Sequence, residues 1–481
     1  MKLPKGFDLI VPPKGEYQIE AIGHGVIHDD PALLLGLGLG KTYCSLQIAR
    51  YRIQQSGVKK VLILAPSTLL YTWKKKGVDW CTEYNSIVLH AKQDERVKLI
   101  KEFEENKNIQ FGIINYEALD TFGYELSKIP IDMIIADESA RFIKNIEAKR
   151  TQATIWFGDR SKYNIILTGK LITKRPLNIW SQYRFLDRGA TFGTNFERWK
   201  HYFFQKRTYR NFEKWEIRED KIEQLHNYIY SIAISFGNEV REDRNESIFT
   251  NVILKREDVE PFYSEIEESV IADIETELGN VRVNTTNIFT KLIRLQQLTA
   301  GFVNDNGKIK YLKHTPKLDA IMDEVESILE EEESIIIWCR FHPSLKLICD
   351  TLKEKDIKYI QMSGKDSPIK KDRKWREYQQ SKKIDVFVGQ IEAGGIGIEL
   401  FKIDSKDKYQ HTLYFEKTWV MDDYEQSVGR TDRLGQNSIC RYVDFIVEGT
   451  IDEKIESVIQ NDQNIANLIM NKGIRKFLQG G

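Results

Sequence analysis

The sequence predicts an α/β protein with two parallel-sheet lobes, and helical protrusions inserted between and within them. Three observations lead there. The 481 residues exceed one compact core, since single cores stop growing near ~250–300 residues. Short apolar runs alternate with amphipathic stretches through the first 170 residues, and the alternation returns after Pro316. Strands that alternate with helices pair in parallel, through right-handed crossovers.

In the first lobe, Ala32–Leu35, Val61–Ala65, Gly112–Asn115, Met133–Ala136 and Asn164–Thr168 read as buried strands. Helical patterns cover Thr42–Gln55, Leu69–Thr82, Asp94–Asn106 and Lys144–Phe157. Residues 176–230 are aromatic and basic, with a helical pattern and no strand pattern. Residues 256–300 are again helical, and acidic from Glu257 to Glu277. Ser334–Cys339, Lys358–Met362, Asp385–Gly389, Thr412–Phe415 and Cys440–Ile446 are the strands of the second lobe. The expected division is residues 1–245, with a protrusion at about 175–230, and 246–481, with a protrusion at about 256–313.

Composition excludes several classes. With 41% hydrophobic and 30% charged residues, the chain is globular. Its five cysteines form no C-x-x-C pair, which fits reduced thiols in the cytoplasm. His24 and His28 have helical spacing, but nothing nearby completes a metal site. Neither a signal peptide nor a membrane span is expected. The net charge of zero, 71 Lys+Arg against 71 Asp+Glu, speaks against a uniformly basic surface. It hides an asymmetry: residues 1–240 hold 36 basic against 28 acidic residues, and 241–481 hold 35 against 43. A localised anionic partner is therefore expected.

The strongest chemical signal follows the first strand. Leu35–Thr42 reads LGLGLGKT and runs into a helix. Gly36, Gly38 and Gly40 let successive N–H groups curl around one centre, and the helix N-terminus adds partial positive charge. Gly38, Leu39 and Gly40 would cradle a nucleotide, Lys41 would reach its terminal phosphates, and Thr42 would ligate Mg²⁺. The strand Met133–Ala136 then delivers Asp137-Glu138. Asp137 would hold Mg²⁺ through water, and Glu138 would act as general base on the attacking water.

These motifs, with others in order, resemble a Swi/Snf-type superfamily-2 helicase-like ATPase, close to the compact versions found in phages. The resemblance runs from about Pro13 to Ile459. Tyr17-Gln18 resembles the segment in which Gln18 reads adenine. LAPSTLLYTW at Leu64–Trp73 resembles a segment that touches the DNA backbone, with Ser67 as its contact. DESARFIKN at Asp137–Asn145, LTG at Leu167–Gly169, GQIEAGGIGIEL at Gly389–Leu400 and QSVGRTDRLGQ at Gln426–Gln436 follow. The chain departs from the family pattern at Ala140, where His is usual, and at Lys170-Leu171, where Thr-Pro is usual.

The resemblance implies two RecA-like lobes, with ATP and Mg²⁺ in the cleft between them. Arg430 and Arg433 stand at i, i+3 on the end of an expected helix, so both guanidiniums would share one face and neutralise the transferred phosphoryl group. In the glycine-rich run, Gly397 would serve the nucleotide, and Gly394 and Gly395 the nucleic-acid backbone.

The basic excess concentrates in residues 141–215, with 17 Lys+Arg against 5 Asp+Glu. Within Phe196–Trp215, eight aromatics interleave with six basic residues. Two readings compete: bases stack on the rings, or the rings form the protrusion's core under Lys and Arg stems. The cations Lys174, Arg175, Arg198, Lys206 and Arg207 are expected on phosphates, without sequence specificity. The basic run Lys370–Arg376 is a further candidate.

Together these readings predict an ATP-dependent translocase on double-stranded DNA, in the cytoplasm of a bacterial host if phage-encoded. A phage or host protein partner is left open. Two rivals stand beside it: a helicase that separates DNA or RNA strands, and a nucleotide-gated DNA-binding or recruitment module with little turnover.

Overall fold

The computed structural model describes residues 3–36, 38–169, 171, 176–209, 212–237, 240, 247–260, 262–278, 285–305, 308–312, 315–391, 398, 400–403, 407–432, 438–460 and 474–479. The chain divides into two units, Met1–Asp243 and Arg244–Gly481.

The first unit is built on a parallel sheet of seven strands in the order β3-β4-β2-β5-β6-β1-β9. They are β1 Ala32–Leu35, β2 Val61–Leu64, β3 Asn85–Val88, β4 Ile109–Ile114, β5 Met133–Asp137, β6 Tyr163–Thr168 and β9 Ala233–Phe236. Every residue of β1, β2, β5 and β6 is buried, as expected of strands covered on both faces. Alternate residues, Ala32 and Leu34, Leu62 and Leu64, Ile134 and Ala136, enter one apolar cluster, as the two-residue period of a strand requires. Full burial of each leucine or isoleucine among them stabilises by roughly 1.5–3 kcal/mol.

Residues 176–230 differ from the helical expectation. Helices Asn178–Asp187, Phe196–Phe203 and Ile222–Tyr230 are present, but β7 Phe204–Tyr209 and β8 Phe212–Ile217 form an antiparallel hairpin between them. Its strands, FQKRTY and FEKWEI, lack the strict two-residue alternation that marks a half-buried strand, so the sequence gives no strand pattern there. The rings of Phe192, Trp199 and Phe203 are buried and pack on one another. They belong to the same core cluster as the sheet residues above, so they are not available for stacking on bases.

The second unit holds a parallel sheet of six strands, β10-β17-β16-β13-β15-β14. They are β10 Ser247–Leu254, β13 Ile335–Cys339, β14 Tyr359–Met362, β15 Val386–Gln390, β16 Tyr409–Tyr414 and β17 Ile439–Val447. A short hairpin, β11 Phe302–Asp305 with β12 Lys308–Tyr311, lies between β10 and β13 in the chain. Ile335, Ile337 and Cys339 face one cluster, and Ile336 and Trp338 the other. Helices Phe262–Leu278, Thr285–Thr299 and Ile451–Gln460 share a third core with Trp419. Two all-parallel sheets with helices on their faces are the two RecA-like lobes. All five cysteines are buried thiols. Among the described residues, no helix is long and apolar enough to cross a membrane.

Candidate functional site

Sheet order brings the two chemical motifs of the first unit together. β6 lies between β1 and β5, with Leu34 opposite Thr168 and Asp137 opposite Leu167. The phosphate loop leaves the carboxyl end of β1, and the acidic pair leaves the carboxyl end of β5. This is the edge of an open parallel sheet where ligands bind.

Gly38 and Gly40 both take the left-handed conformation, at φ 78° and 80°. Leu39 between them is fully buried and anchors the loop. Helix α2, Lys41–Ser56, starts directly after Gly40. Lys41 Nζ donates to the carbonyls of Leu35 at 2.9 Å and Gly36 at 3.4 Å, so the ammonium lies over the loop. Thr42 follows in the first turn of α2.

Gln18 sits on helix α1, Glu16–Ile27, and is buried. Its Nε2 donates to Leu39 O at 3.0 Å, and its Oε1 accepts from Lys14 N at 2.8 Å. The amide therefore holds the phosphate loop itself. His24, on the same helix, is buried, and its Nε2 bonds the Ile232 carbonyl at 3.0 Å.

Asp137 is buried. Its Oδ2 accepts the indole N–H of Trp73 at 2.9 Å, and its Oδ1 accepts the Glu138 N–H at 2.9 Å. Burial pushes its carboxyl up to about 7; the neighbouring Glu138 charge adds to the rise, and the Trp73 bond and the Lys41 ammonium oppose it. Glu138 adopts φ 51° and ψ 42°, a conformation few non-glycine residues take. Tyr116 Oη donates to Asp137 O at 2.6 Å, and its ring stacks on Phe142. Ser139 Oγ donates to Gln182 Oε1 at 2.9 Å, and Gln182 Nε2 reaches Leu171 O at 3.2 Å. Ala140 is buried beside them.

Sequence reasoning missed Trp73, Tyr116 and Gln182 as parts of this site. For Trp73 a signal was present: a tryptophan closing an apolar run needs a partner for its N–H once buried.

In the second unit the expected helix carrying the arginines ends early. It spans Met421–Val428, and Gly429 N–H closes it on Glu425 O. Arg430 N bonds Ser427 O, and Thr431 Oγ1 bonds Val428 O, so local bonds replace the next helical turn. Arg430 is thus in a turn rather than on a helix face, and it is buried. Arg433, Gly394, Gly395 and Gly397 lie outside the described residues, as do Lys170, Lys174 and Arg175.

Ser67 opens a 3₁₀ turn, Ser67–Leu69, just beyond β2. Arg198 is exposed on the helix Phe196–Phe203, and Lys206 and Arg207 are exposed on β7. Arg207 also lies 3.5 Å from Glu216 and 3.3 Å from Glu219. In the run Lys370–Arg376, Lys374 pairs with Asp366 and Arg376 with Asp372. Much of that charge is neutralised within its own lobe.

Several known proteins are similar to this chain. A Mycoplasma pneumoniae protein described as an uncharacterized ATP-dependent helicase is 22% identical over 447 residues, covering 92% of this chain and 40% of the relative. The ISWI chromatin-remodeling complex ATPase ISW2 of Saccharomyces cerevisiae is 23% identical over 466 residues, covering 92% and 39%. The chain thus spans about two fifths of the length of these relatives. Among solved structures, the Sulfolobus solfataricus SWI2/SNF2 ATPase core in complex with dsDNA aligns over 99% of this chain and 97% of its own, at 19% identity and a TM-score of 0.43. The family model described as SNF2-related domain matches residues 25–301, more than half of the chain, and the chain belongs to that family.

Proposed function

We propose that this chain is an ATP-dependent translocase on double-stranded DNA. The observation that carries the reading is the convergence of the Gly38–Lys41 loop and Asp137-Glu138 at the carboxyl ends of β1 and β5. Membership of the SNF2-related family supports it, as do relatives named as ATP-dependent helicases and remodeling ATPases.

The residues fit a nucleoside triphosphate with Mg²⁺. The loop N–H groups and the α2 N-terminus favour anionic oxygens. Asp137 is a buried carboxyl pushed up to about 7 by lost solvation and by Glu138. A divalent cation would add to the counter-charge that the Lys41 ammonium supplies there. Asp137 and the Thr42 hydroxyl would hold it, and its chemistry is to neutralise the phosphate oxygens and orient the leaving group.

The chain's own groups do the rest. Gln18 keeps the loop in its binding shape. Lys41 would exchange its carbonyl partners for phosphate oxygens. Glu138 would orient and deprotonate the attacking water, and its left-handed backbone is strain of the kind that gathers at functional residues. Arg430 and Arg433 keep the role the resemblance gives them, neutralising the transferred phosphoryl group. Arg198, Lys206 and Arg207, with Lys174 and Arg175, would contact the DNA backbone from the protrusion, and Ser67 from the segment after β2. Gly394 and Gly395 would add backbone amides, and Gly397 would face the nucleotide.

A triplex-displacement assay tests the mechanical claim. With ATP, the protein should strip a third strand from a duplex without separating the duplex beneath. Unwinding of a forked duplex would replace the reading with a strand-separating helicase.

A further inference from the structure

The segment after β2 carries an irregularity that the proposed chemistry does not yet use. Trp73 N–H bonds Leu70 O, three residues back; Asp79 N–H bonds Lys74 O, five back; Thr82 N–H bonds Val78 O, four back. The helix thus tightens, widens into a π-turn over Trp73–Val78, and then returns to ordinary pitch. Such π-turns are frequent at functional sites.

Both ends of this turn touch candidate Mg²⁺ ligands. Trp73 is buried, and its indole N–H donates to Asp137 Oδ2 at 2.9 Å. Gly77 packs on α2, so that a Cβ there would lie 3.3 Å from both Thr42 Cγ2 and Leu46 Cδ1. The segment is pinned elsewhere too: Gln47 Nε2 donates to Cys81 O at 2.9 Å, and Lys74 Nζ to Ser86 O at 2.8 Å.

We propose that Trp73 is a positioning residue for the proposed hydrolysis: its indole N–H fixes the Asp137 carboxylate for Mg²⁺, while Gly77 lets the same turn seat against Thr42. The inference rests on the Mg²⁺-nucleotide reading of the site. A hydrogen bond from outside the metal's own ligands orients the ligand, and its loss typically costs about 10–100-fold in metal affinity.

The test is calorimetric binding of the non-hydrolysable β,γ-imido analogue of ATP, in EDTA and across a Mg²⁺ titration. Trp73→Phe keeps most of the apolar volume and removes the donor. It should bind the analogue in EDTA as wild type does, yet need about tenfold more Mg²⁺ to reach the tight-binding state. In an Asp137→Asn background, Trp73→Phe should add nothing. An unchanged Mg²⁺ requirement, or full additivity with Asp137→Asn, overturns the proposal. If Trp73→Phe loses its cooperative melt, Gly77→Ala carries the test: its Mg²⁺ requirement should rise several-fold with binding in EDTA unaltered, and no rise overturns the proposal. Wild-type protein that binds the analogue no better with Mg²⁺ would instead sink the Mg²⁺-nucleotide reading itself.

Discussion

Position 40 accepts only glycine, for two separate reasons. Its φ of 80° lies in the left-handed region, and a Cβ there would sit 2.4 Å from Gln18 Nε2. The backbone term alone is about 1–2 kcal/mol, and the steric term displaces the side chain that holds Leu39. Gly40→Ala should therefore lower nucleotide affinity by about tenfold or more, with a smaller loss of thermal stability. Calorimetry with ATP in EDTA measures it; unchanged affinity would show that the loop does not need the Gln18 bond. Glycine's role here was legible from the G-K-T spacing. The partner that enforces it was not, since Gln18 lies 21 residues from Leu39 in sequence and only the packing of α1 on α2 brings them together.

That packing is a matter of elements. Gly25 on α1 faces Ile48 on α2 so closely that a Cβ would lie 2.1 Å from Ile48 Cδ1. Gly25→Ala should destabilise the first unit by roughly 1–3 kcal/mol through overpacking, and Ile48→Ala, which removes both that δ-carbon and the γ-carbon at 2.8 Å, should recover part of the loss. Thermal melts of the two single variants and the double variant measure the coupling; additive losses would contradict the contact. In the second unit, Glu416 is buried and accepts from Arg340 N at 2.9 Å and from Ser344 Oγ, with Lys317 and Asp452 nearby. Burial pushes its carboxyl from 4.5 up to about 7. The folded state thus holds a proton that the unfolded state releases. The stabilisation from Glu416 is present below about 4.5 and fades as pH rises through about 7. Glu416→Gln should flatten that dependence and stabilise the unit near pH 8, by about 3 kcal/mol at most. An unchanged slope between pH 5 and 8 would contradict it. Of the two parallel sheets, the strands that the sequence hid, β3, β9 and β10, are all edges; the hairpins β7–β8 and β11–β12, also hidden, lie outside those sheets. Burial in the three edges is broken: β3 and β9 mix buried with half-buried and exposed residues, and no residue of β10 is fully buried. Interior strands such as β1 and β13 announce themselves as unbroken apolar runs because both faces are covered. An edge strand lacks that signature.

Across the whole molecule, zero net charge is a cancellation between an acidic second unit and a basic stretch that surrounds an aromatic core. Arg198 and Lys206 face solvent there, while Lys374 and Arg376 of the second unit are paired with nearby aspartates. The motifs of the first unit were legible because each is a short unbroken run: a strand into the glycine loop over Ala32–Thr42, and a strand into the acidic pair over Met133–Glu138. Trp73 and Tyr116 were not, because each reaches Asp137 through the fold, across 64 and 21 residues. The central claim is that this site hydrolyses ATP in response to duplex DNA. Its most direct test is the steady-state ATPase rate without nucleic acid, with single-stranded DNA, with duplex DNA and with RNA, at two salt concentrations. Duplex DNA should raise the rate about tenfold or more, the effect should weaken at the higher salt as phosphate contacts are screened, and Lys41→Ala and Glu138→Gln should abolish it. A rate that no nucleic acid stimulates, from protein that binds ATP, would contradict the account.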